Sequence, residues 1–266
     1  MIQLNTIHNQ NCVDGLSLLD NASVDLTVTS PPYDSLRLYE GAKWDFDVFS
    51  KVANLLFAKT KQGGVVVWVV GDGTIDGSET GTSFRQALYF QEIGFRIHDT
   101  MIYEKTGTPY PGKNRYYQNF EYMFVFSKGK PKTVNLIKDK QNSNAGKPAH
   151  WGRMTFRQKD GSLVEKGSNY ITPEFGVRTN IWKYKTGHGN VTTDRAAYRH
   201  PAIFPDALAI DHILSWSNEG DLICDPFAGS GTTLKAANSL KRQFIGFEIS
   251  KTYVDIAYER LNIQKT

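Results

Sequence analysis

Cysteine is scarce in this chain: among 266 residues there are two, Cys12 and Cys224, each beside a predicted strand. A disulfide framework or a thiolate metal centre would need more partners, so two reduced, structural thiols are expected. Neither sits in a reactive-looking loop, and covalent catalysis by a thiolate is not expected. No two histidines have the spacing of metal ligands, and no metal is expected. Nowhere does an uninterrupted apolar run approach the roughly 20 residues that span a bilayer. The first residues, MIQLNTIHNQN, lack the basic start and apolar middle of a signal peptide, which leads to the expectation of a cytoplasmic protein. Internal repeats and low-complexity tracts are missing too.

What charge there is, is unevenly spread. The formal net charge is only +4, yet residues 113–199 hold 17 Lys and Arg against 6 Asp and Glu. The remainder holds 14 basic and 21 acidic residues. This division predicts a near-neutral to acidic body and a basic lobe that faces a polyanion.

Seven segments read as strands by their β-branched and aromatic content, near 4–8, 24–29, 65–70, 96–103, 120–126, 221–225 and 243–247. Helical patterns lie over 45–61, 84–93, 206–216, 232–240 and 251–261. Gly63-Gly64 reads as the stop of the first helix, and Thr82 and Ser83 as caps of the second. Strands alternating with helices predict an α/β protein with a mainly parallel sheet, and VVVWVV at 65–70 predicts a central strand buried on both faces. Between 96–103 and 120–126 no helical pattern intervenes, so an antiparallel pair at the sheet edge is expected. The alternation stops from about 131 to 198, where an inserted, partly irregular lobe is expected between a first part, 1–130, and a last part, 199–266.

Two stretches stand out. In TVTSPPYDS, residues 27–35, a strand stops at Pro31-Pro32, because proline cannot donate to a sheet ladder. In DLICDPFAGSGTT, residues 221–233, a short strand runs through a glycine-rich loop into a helix, and backbone N–H groups there face any bound anion. Thr232 after Gly231 excludes a phosphate loop with Lys at that place, and Leu234 excludes the third glycine of a dinucleotide fingerprint. Glu248 closes the next strand, where a carboxylate can accept from both hydroxyls of a ribose. An adenosine-bearing cofactor with an amino-acid tail and no phosphate fits these constraints: S-adenosylmethionine.

Taken together, Ser30-Pro31-Pro32-Tyr33 and Asp225-Pro226-Phe227-Ala228-Gly229-Ser230-Gly231-Thr232-Thr233 resemble the catalytic and cofactor motifs of S-adenosylmethionine-dependent DNA amino-methyltransferases. The acceptor motif comes first and the cofactor motif last, similar to the permuted β class. Residues 63–72, 115–129 and 200–205 resemble further motifs of that family. The resemblance implies a Rossmann-like methyltransferase sheet of about seven strands, circularly permuted, with helices on both faces and an inserted target-recognition region at 131–198. It implies a catalytic set of Ser30, Pro31, Pro32 and Tyr33. The implied cofactor set comprises Asn11 and Cys12, then Asp225, Pro226, Phe227, Ala228, Gly229, Ser230, Gly231 and Thr232. Glu248, Ile249, His200 and Phe204 complete it, with Asn11 standing where the family usually has Asp.

An exocyclic amine is a poor nucleophile because its lone pair is delocalised into the ring. Ser30 Oγ and the Pro31 carbonyl are suitable acceptors for its hydrogens, held by two prolines that need little reorganisation. The base must be flipped out of the duplex to reach them, and Tyr33 can stack on it. By the resemblance, Ser at the first motif position favours cytosine N4 over adenine N6, without excluding the latter. A cofactor-binding but non-catalytic DNA-binding module is the reading of another class. Double-stranded DNA is the expected partner, a cognate restriction endonuclease an expected companion. Candidate DNA contacts are Arg37, Lys113, Arg115, Arg153, Arg157, Lys183 and Lys185, interleaved with Trp151 and Trp182.

Overall fold

The computed structural model describes residues 2–33, 44–107, 115–148, 155–165, 171–187 and 189–263. They form two compact units, one of Met1–Asn135 with Asn180–Thr266, the other of Leu136–Thr179.

The larger unit is built on one eight-stranded sheet. In chain order its strands are β1 (Thr6–Asn9), β2 (Val24–Thr29), β3 (Thr60–Val70), β4 (Arg96–Lys105), β5 (Phe120–Ser127), β6 (Ile181–Tyr184), β7 (Leu222–Asp225) and β8 (Gln243–Glu248). Their spatial order is β1-β8-β7-β2-β3-β5-β4-β6. From β1 to β3 every pairing is parallel, whereas β5 runs antiparallel to both of its neighbours, β3 and β4. The expected antiparallel pair is there, but it does not form the edge. The eighth strand, β6, lies outside it, parallel to β4 and inside the segment expected to be an insertion. Its alternation IWKY, with Trp182 and Tyr184 buried between exposed Ile181 and Lys183, is the ordinary period of a half-buried strand. A four-residue strand embedded in polar sequence carries little signal, hence its omission from the seven.

The helices are α1 (Cys12–Ser17), α2 (Phe46–Lys59), α3 (Thr82–Glu92), α4 (Asp206–Trp216), α5 (Thr232–Ser239) and α6 (Lys251–Leu261). Alternation along β3 assigns them to two faces. Val66, Trp68 and Val70 pack with Leu16, Phe49, Val52 and Phe90 of α1, α2 and α3. The intervening Val65, Val67 and Val69, equally buried, point to the other face, and α4, α5 and α6 pack together. Helix α2 starts where Asp45 accepts from Val48 N at 2.9 Å. Its end is not made by Gly63-Gly64: Thr60 is both its C-cap and the first residue of β3, so the glycines lie within the strand. Nor do Thr82 and Ser83 cap α3 with their own side chains. Gly81 is the N-cap, and the Asp72 carboxylate takes Ser83 N at 2.8 Å and Ser83 Oγ at 2.6 Å.

The smaller unit, Leu136–Thr179, contains two short antiparallel pairs, Thr155–Arg157 with Leu163–Glu165 and Lys140–Gln141 with Phe175–Gly176. It is narrower than the expected 131–198, because residues 131–135 and 180–198 belong to the larger unit. Within 136–179 there are 8 Lys and Arg against 4 Asp and Glu, so most of the local basic excess lies on the larger unit. Among the described residues no helix is long and apolar enough to cross a membrane.

Trp68 is the hub of the α1–α3 face. It is wholly buried, its ring meets Phe49, Phe90 and Phe227, and its Nε1 donates to Gln86 Oε1 at 2.8 Å. Trp68→Ala should lower the unfolding free energy by about 3–5 kcal/mol, by opening a cavity and stranding a buried amide. Guanidinium unfolding at unchanged m-value checks this.

Candidate active site

Parallel strands bring their C-terminal ends to one edge of the sheet, and the unusual stretches sit there. Ser30 follows β2 directly, Pro226 follows β7, and Glu248 ends β8. One cavity of about 910 Å³ opens at this edge, and every one of Ser30, Pro31, Pro32 and Tyr33 lines it. So do twelve of the fourteen expected cofactor residues: Asn11, Cys12, Pro226, Phe227, Ala228, Gly229, Ser230, Thr232, Glu248, Ile249, His200 and Phe204. The position matches the rule that open α/β sheets bind ligands beyond the carboxyl ends of their strands.

Asp225 and Gly231 are the two that do not line it. Asp225 is buried behind the wall and joins its two halves. Its Oδ1 accepts from Thr29 Oγ1 at 2.6 Å, the last residue of β2, and from Phe227 N at 3.1 Å. Gly231 sits under the loop at φ 80°, where a Cβ would come within 2.9 Å of Ala257 Cβ on α6. Gly229, at φ 50°, is the glycine that faces the cavity; a Cβ there would stand 3.0 Å from His200 Nε2. Both backbones are left-handed, a region that glycine enters without strain.

Glu248 holds the loop as well as facing the cavity. Its Oε2 accepts from Gly229 N at 2.9 Å and its Oε1 from Ser250 N at 2.8 Å. Each carboxylate oxygen has a second lone pair, which leaves acceptor capacity for a ligand hydroxyl. Burial raises its pKa above the ordinary carboxylate value, and the backbone donors counter that shift. Asn11 spends its Oδ1 on capping α1, accepting from Val13 N at 2.8 Å. Burial pushes the neighbouring Cys12 thiol up to about 12, and that of Cys224 well above its ordinary value, so neither is a thiolate. Phe227 carries the aromatic core into the cavity wall, its ring edge-on to Trp44 at 5.1 Å and to Trp68 at 6.1 Å.

Tyr33 is anchored at its hydroxyl, between Ser30 Oγ at 2.9 Å and Glu121 Oε2 at 2.8 Å. Glu121 in turn pairs with Lys105, and both line the cavity beside Tyr103. Sequence reasoning missed these three. Each is one ordinary residue on a strand otherwise read by its apolar neighbours. Arg260 was missed too, although its side chain is fully buried. It donates to Ser230 O at 2.7 Å and Thr232 Oγ1 at 3.0 Å, and pairs with Asp194 at 3.0 Å and Asp206 at 3.2 Å.

Two of the expected DNA contacts already have partners within the chain. Lys183 is paired with Glu104 at 2.6 Å, and Arg115 bonds Thr74 Oγ1, the Gly77 carbonyl and Glu79. Trp182, expected to interleave with them, is buried against His212 with ring centroids 4.7 Å apart. Arg157 and Lys185 are exposed. Arg37, Lys113, Trp151 and Arg153 lie outside the described residues.

Asp225 gives the site a measurable pH signature. Burial raises its pKa to about 6 against the donors that favour its charge. The folded state therefore holds a proton that the unfolded chain has already lost between about pH 4 and 6. The contribution of Asp225 to stability falls as pH rises through that window and is constant above it. Asp225→Asn should gain on the wild type by on the order of 3 kcal/mol between pH 4 and pH 7, as read from denaturant unfolding at each pH.

Residues 24–259 match the model of the N6/N4 DNA methylase family. The chain is 57% identical over 243 residues to the orphan methyltransferase M.BamHII of Bacillus amyloliquefaciens, covering 91% of this chain and 90% of that protein. It is 26% identical to the type II methyltransferase M.BglII of Bacillus subtilis, over 97% of this chain and 69% of that one. Among solved structures, the cytosine-N4-specific PvuII DNA methyltransferase superposes with a TM-score of 0.71 at 19% identity, covering 97% of this chain and 87% of that one. A putative DNA modification methylase of Thermus thermophilus, solved with S-adenosyl-L-methionine, does so at 0.63 and 24% identity, covering 96% and 94%. These likenesses agree with the sheet and its carboxyl-end cavity, and the chain belongs to the N6/N4 family of DNA amino-methyltransferases.

Proposed function

We propose that this methyltransferase transfers a methyl group from S-adenosylmethionine to the exocyclic amine of a base flipped out of double-stranded DNA, and that the base is cytosine, at N4. One observation carries the reading: the Ser30-Pro31-Pro32-Tyr33 turn and the 226–232 loop line a single cavity.

The residues fit the cofactor. Gly229 lets the loop backbone and His200 pack closely along the cavity wall, Glu248 keeps lone pairs for ribose hydroxyls, and Phe227 offers an apolar wall. Bound there, the cofactor would supply an electrophilic methyl group on a sulfonium, whose sulfur would keep the bonding electron pair when the methyl is passed to the base nitrogen. Ser30 Oγ and the Pro31 carbonyl accept the two amine hydrogens, which favours a pyramidal nitrogen with its lone pair free. After transfer the nitrogen carries an extra proton and a positive charge, and it loses the proton to solvent. Orientation supplies most of the rate, because no covalent enzyme intermediate intervenes. Tyr33, anchored at its hydroxyl, presents its ring to the cavity, where stacking on the flipped base is worth roughly 1–3 kcal/mol.

A neutral hydroxyl beside cytosine adds no charge next to the ring nitrogen, and the PvuII enzyme that superposes at 0.71 is cytosine-N4-specific; both support the choice of base. The names of the relatives, an orphan and a type II methyltransferase, support DNA modification as the setting. The 136–179 unit is the proposed target-recognition region, with Arg157 there and Lys185 on the larger unit as exposed cations for phosphate contact.

Unmethylated DNA of mixed sequence, incubated with enzyme and labelled cofactor and digested to nucleosides, should yield N4-methylcytosine. Methyl on adenine N6 would overturn the choice of base, and no transfer to any DNA would overturn the activity. Ser30→Ala should cut kcat about 10²-fold while leaving cofactor affinity, by calorimetry, within about twofold.

A further inference from the structure

Behind Ser30 a row of polar groups leads away from the cavity. Ser30 Oγ lies 2.9 Å from the Tyr33 hydroxyl, which lies 2.8 Å from Glu121 Oε2. The other oxygen of Glu121 pairs with Lys105, the last residue of β4. Glu121 is mostly shielded from solvent, with a side chain only 15% exposed.

The direction of each bond in this row is forced. An ionised carboxylate only accepts, so the Tyr33 hydroxyl donates its one hydrogen to Glu121. It then has only lone pairs left for Ser30, and Ser30 becomes the donor between them. The single hydrogen of Ser30 is thereby turned away from the base, and the oxygen faces the cavity with lone pairs alone. Lys105 sets a cation against the other oxygen of that carboxylate and fixes its orientation.

We propose that Glu121 and Lys105 are positioning residues that set the polarity of the Ser30 hydroxyl through Tyr33, and so make the site select a base atom that bears hydrogens, an amine, over a ring nitrogen or carbonyl that bears none. The proposal rests on Ser30 facing the target base, as in the function given above. Were Glu121 neutral, Tyr33 could donate to Ser30 instead, and the Ser30 hydrogen would swing into the cavity against the hydrogens of the amine. Donors that act as one chain also fail as one, so losses along the row should not add.

The test compares Tyr33→Phe, Glu121→Gln and the double variant in kcat, KM for DNA, cofactor affinity and thermal midpoint. Each single variant should lose about 10- to 100-fold in kcat, with cofactor affinity, KM and midpoint nearly unchanged, and the double should be no worse than the poorer single. Glu121→Asp, which keeps the charge, should recover part of the loss. Multiplying losses, an unchanged kcat, or a midpoint that falls in step with kcat would each overturn the proposal. A second readout needs no turnover. The infrared difference between wild type and Tyr33→Phe should show one ionised carboxylate band shifted and no protonated carboxyl. A protonated band, or no shift, overturns the row even where the enzyme is active. A wild type that methylates no DNA, with the carboxylate shift present, overturns the function and not the hydrogen-bond direction.

Discussion

A single buried bond, Thr29 Oγ1 to Asp225 Oδ1 at 2.6 Å, holds the site in register. Thr29 is the last residue before the proline turn and Asp225 the last before the glycine loop, so the bond fixes the distance between the two motifs from behind. The same Oδ1 takes Phe227 N, which starts the loop in a set direction. Both strands run parallel and neighbour each other, and the cavity opens where their ends must diverge. The proline turn and the glycine loop, far apart in the chain, thus meet without a long-range loop. The choice of carboxylate over amide at this place costs stability, because burial raises its pKa to about 6 and its charge is held against desolvation. Sites that hold strong, directed hydrogen bonds commonly carry such a cost.

The opposite wall depends on Arg260. Its guanidinium reaches the Ser230 carbonyl, the Thr232 hydroxyl and two carboxylates, Asp194 and Asp206, from inside α6. Asp206 begins α4 and Asp194 caps the short helical turn Arg195–Arg199. One side chain therefore ties the glycine loop to the segment that carries His200 and Phe204. Arginine suits the place because its planar fork aims three nitrogens in fixed directions, Nε at Asp194, Nη1 at Ser230 and Thr232, and Nη2 at Asp206. Removing both carboxylates would leave the buried guanidinium without a counter-charge, whereas the loss of either one leaves the other in place.

How far the sequence made this legible depends on the length scale of each signal. β3 was readable because six consecutive apolar residues have no other explanation than burial on both faces. The proline turn and the glycine loop were readable because proline and glycine act on the backbone within one or two residues. β6 was not, since its four residues earn their strand geometry from pairing with β4. Gly63-Gly64 misled for a related reason: the same residues that stop a helix also sit in a strand that begins at Thr60. Glu121, Lys105 and Arg260 are ordinary charged residues in strands or helices, and their roles arise only from neighbours distant in sequence. Lys183 and Arg115 show the converse. Basic residues in a basic stretch suggest a polyanion, yet these two also have acidic neighbours, Glu104 and Glu79, that lie far off in sequence.

The division of charge deserves a physical reading in that light. Only a minor part of the basic excess of residues 113–199 lies in the 136–179 unit; the larger share sits on the body that holds the cavity. Local excess is not net charge: over its whole length the larger unit holds 23 Lys and Arg against 23 Asp and Glu, so the net charge of +4 resides in the 136–179 unit. Several cations of the larger unit are also taken up within the chain, Lys128 by the carbonyls of Phe57 and Thr60, Lys183 by Glu104 and Arg199 by Glu259. The 136–179 unit, by contrast, leaves Phe156, Leu163 and Phe175 exposed among its lysines and arginines. Under the proposed function, phosphate contacts would carry no sequence information, so salt should weaken cognate and non-cognate binding alike.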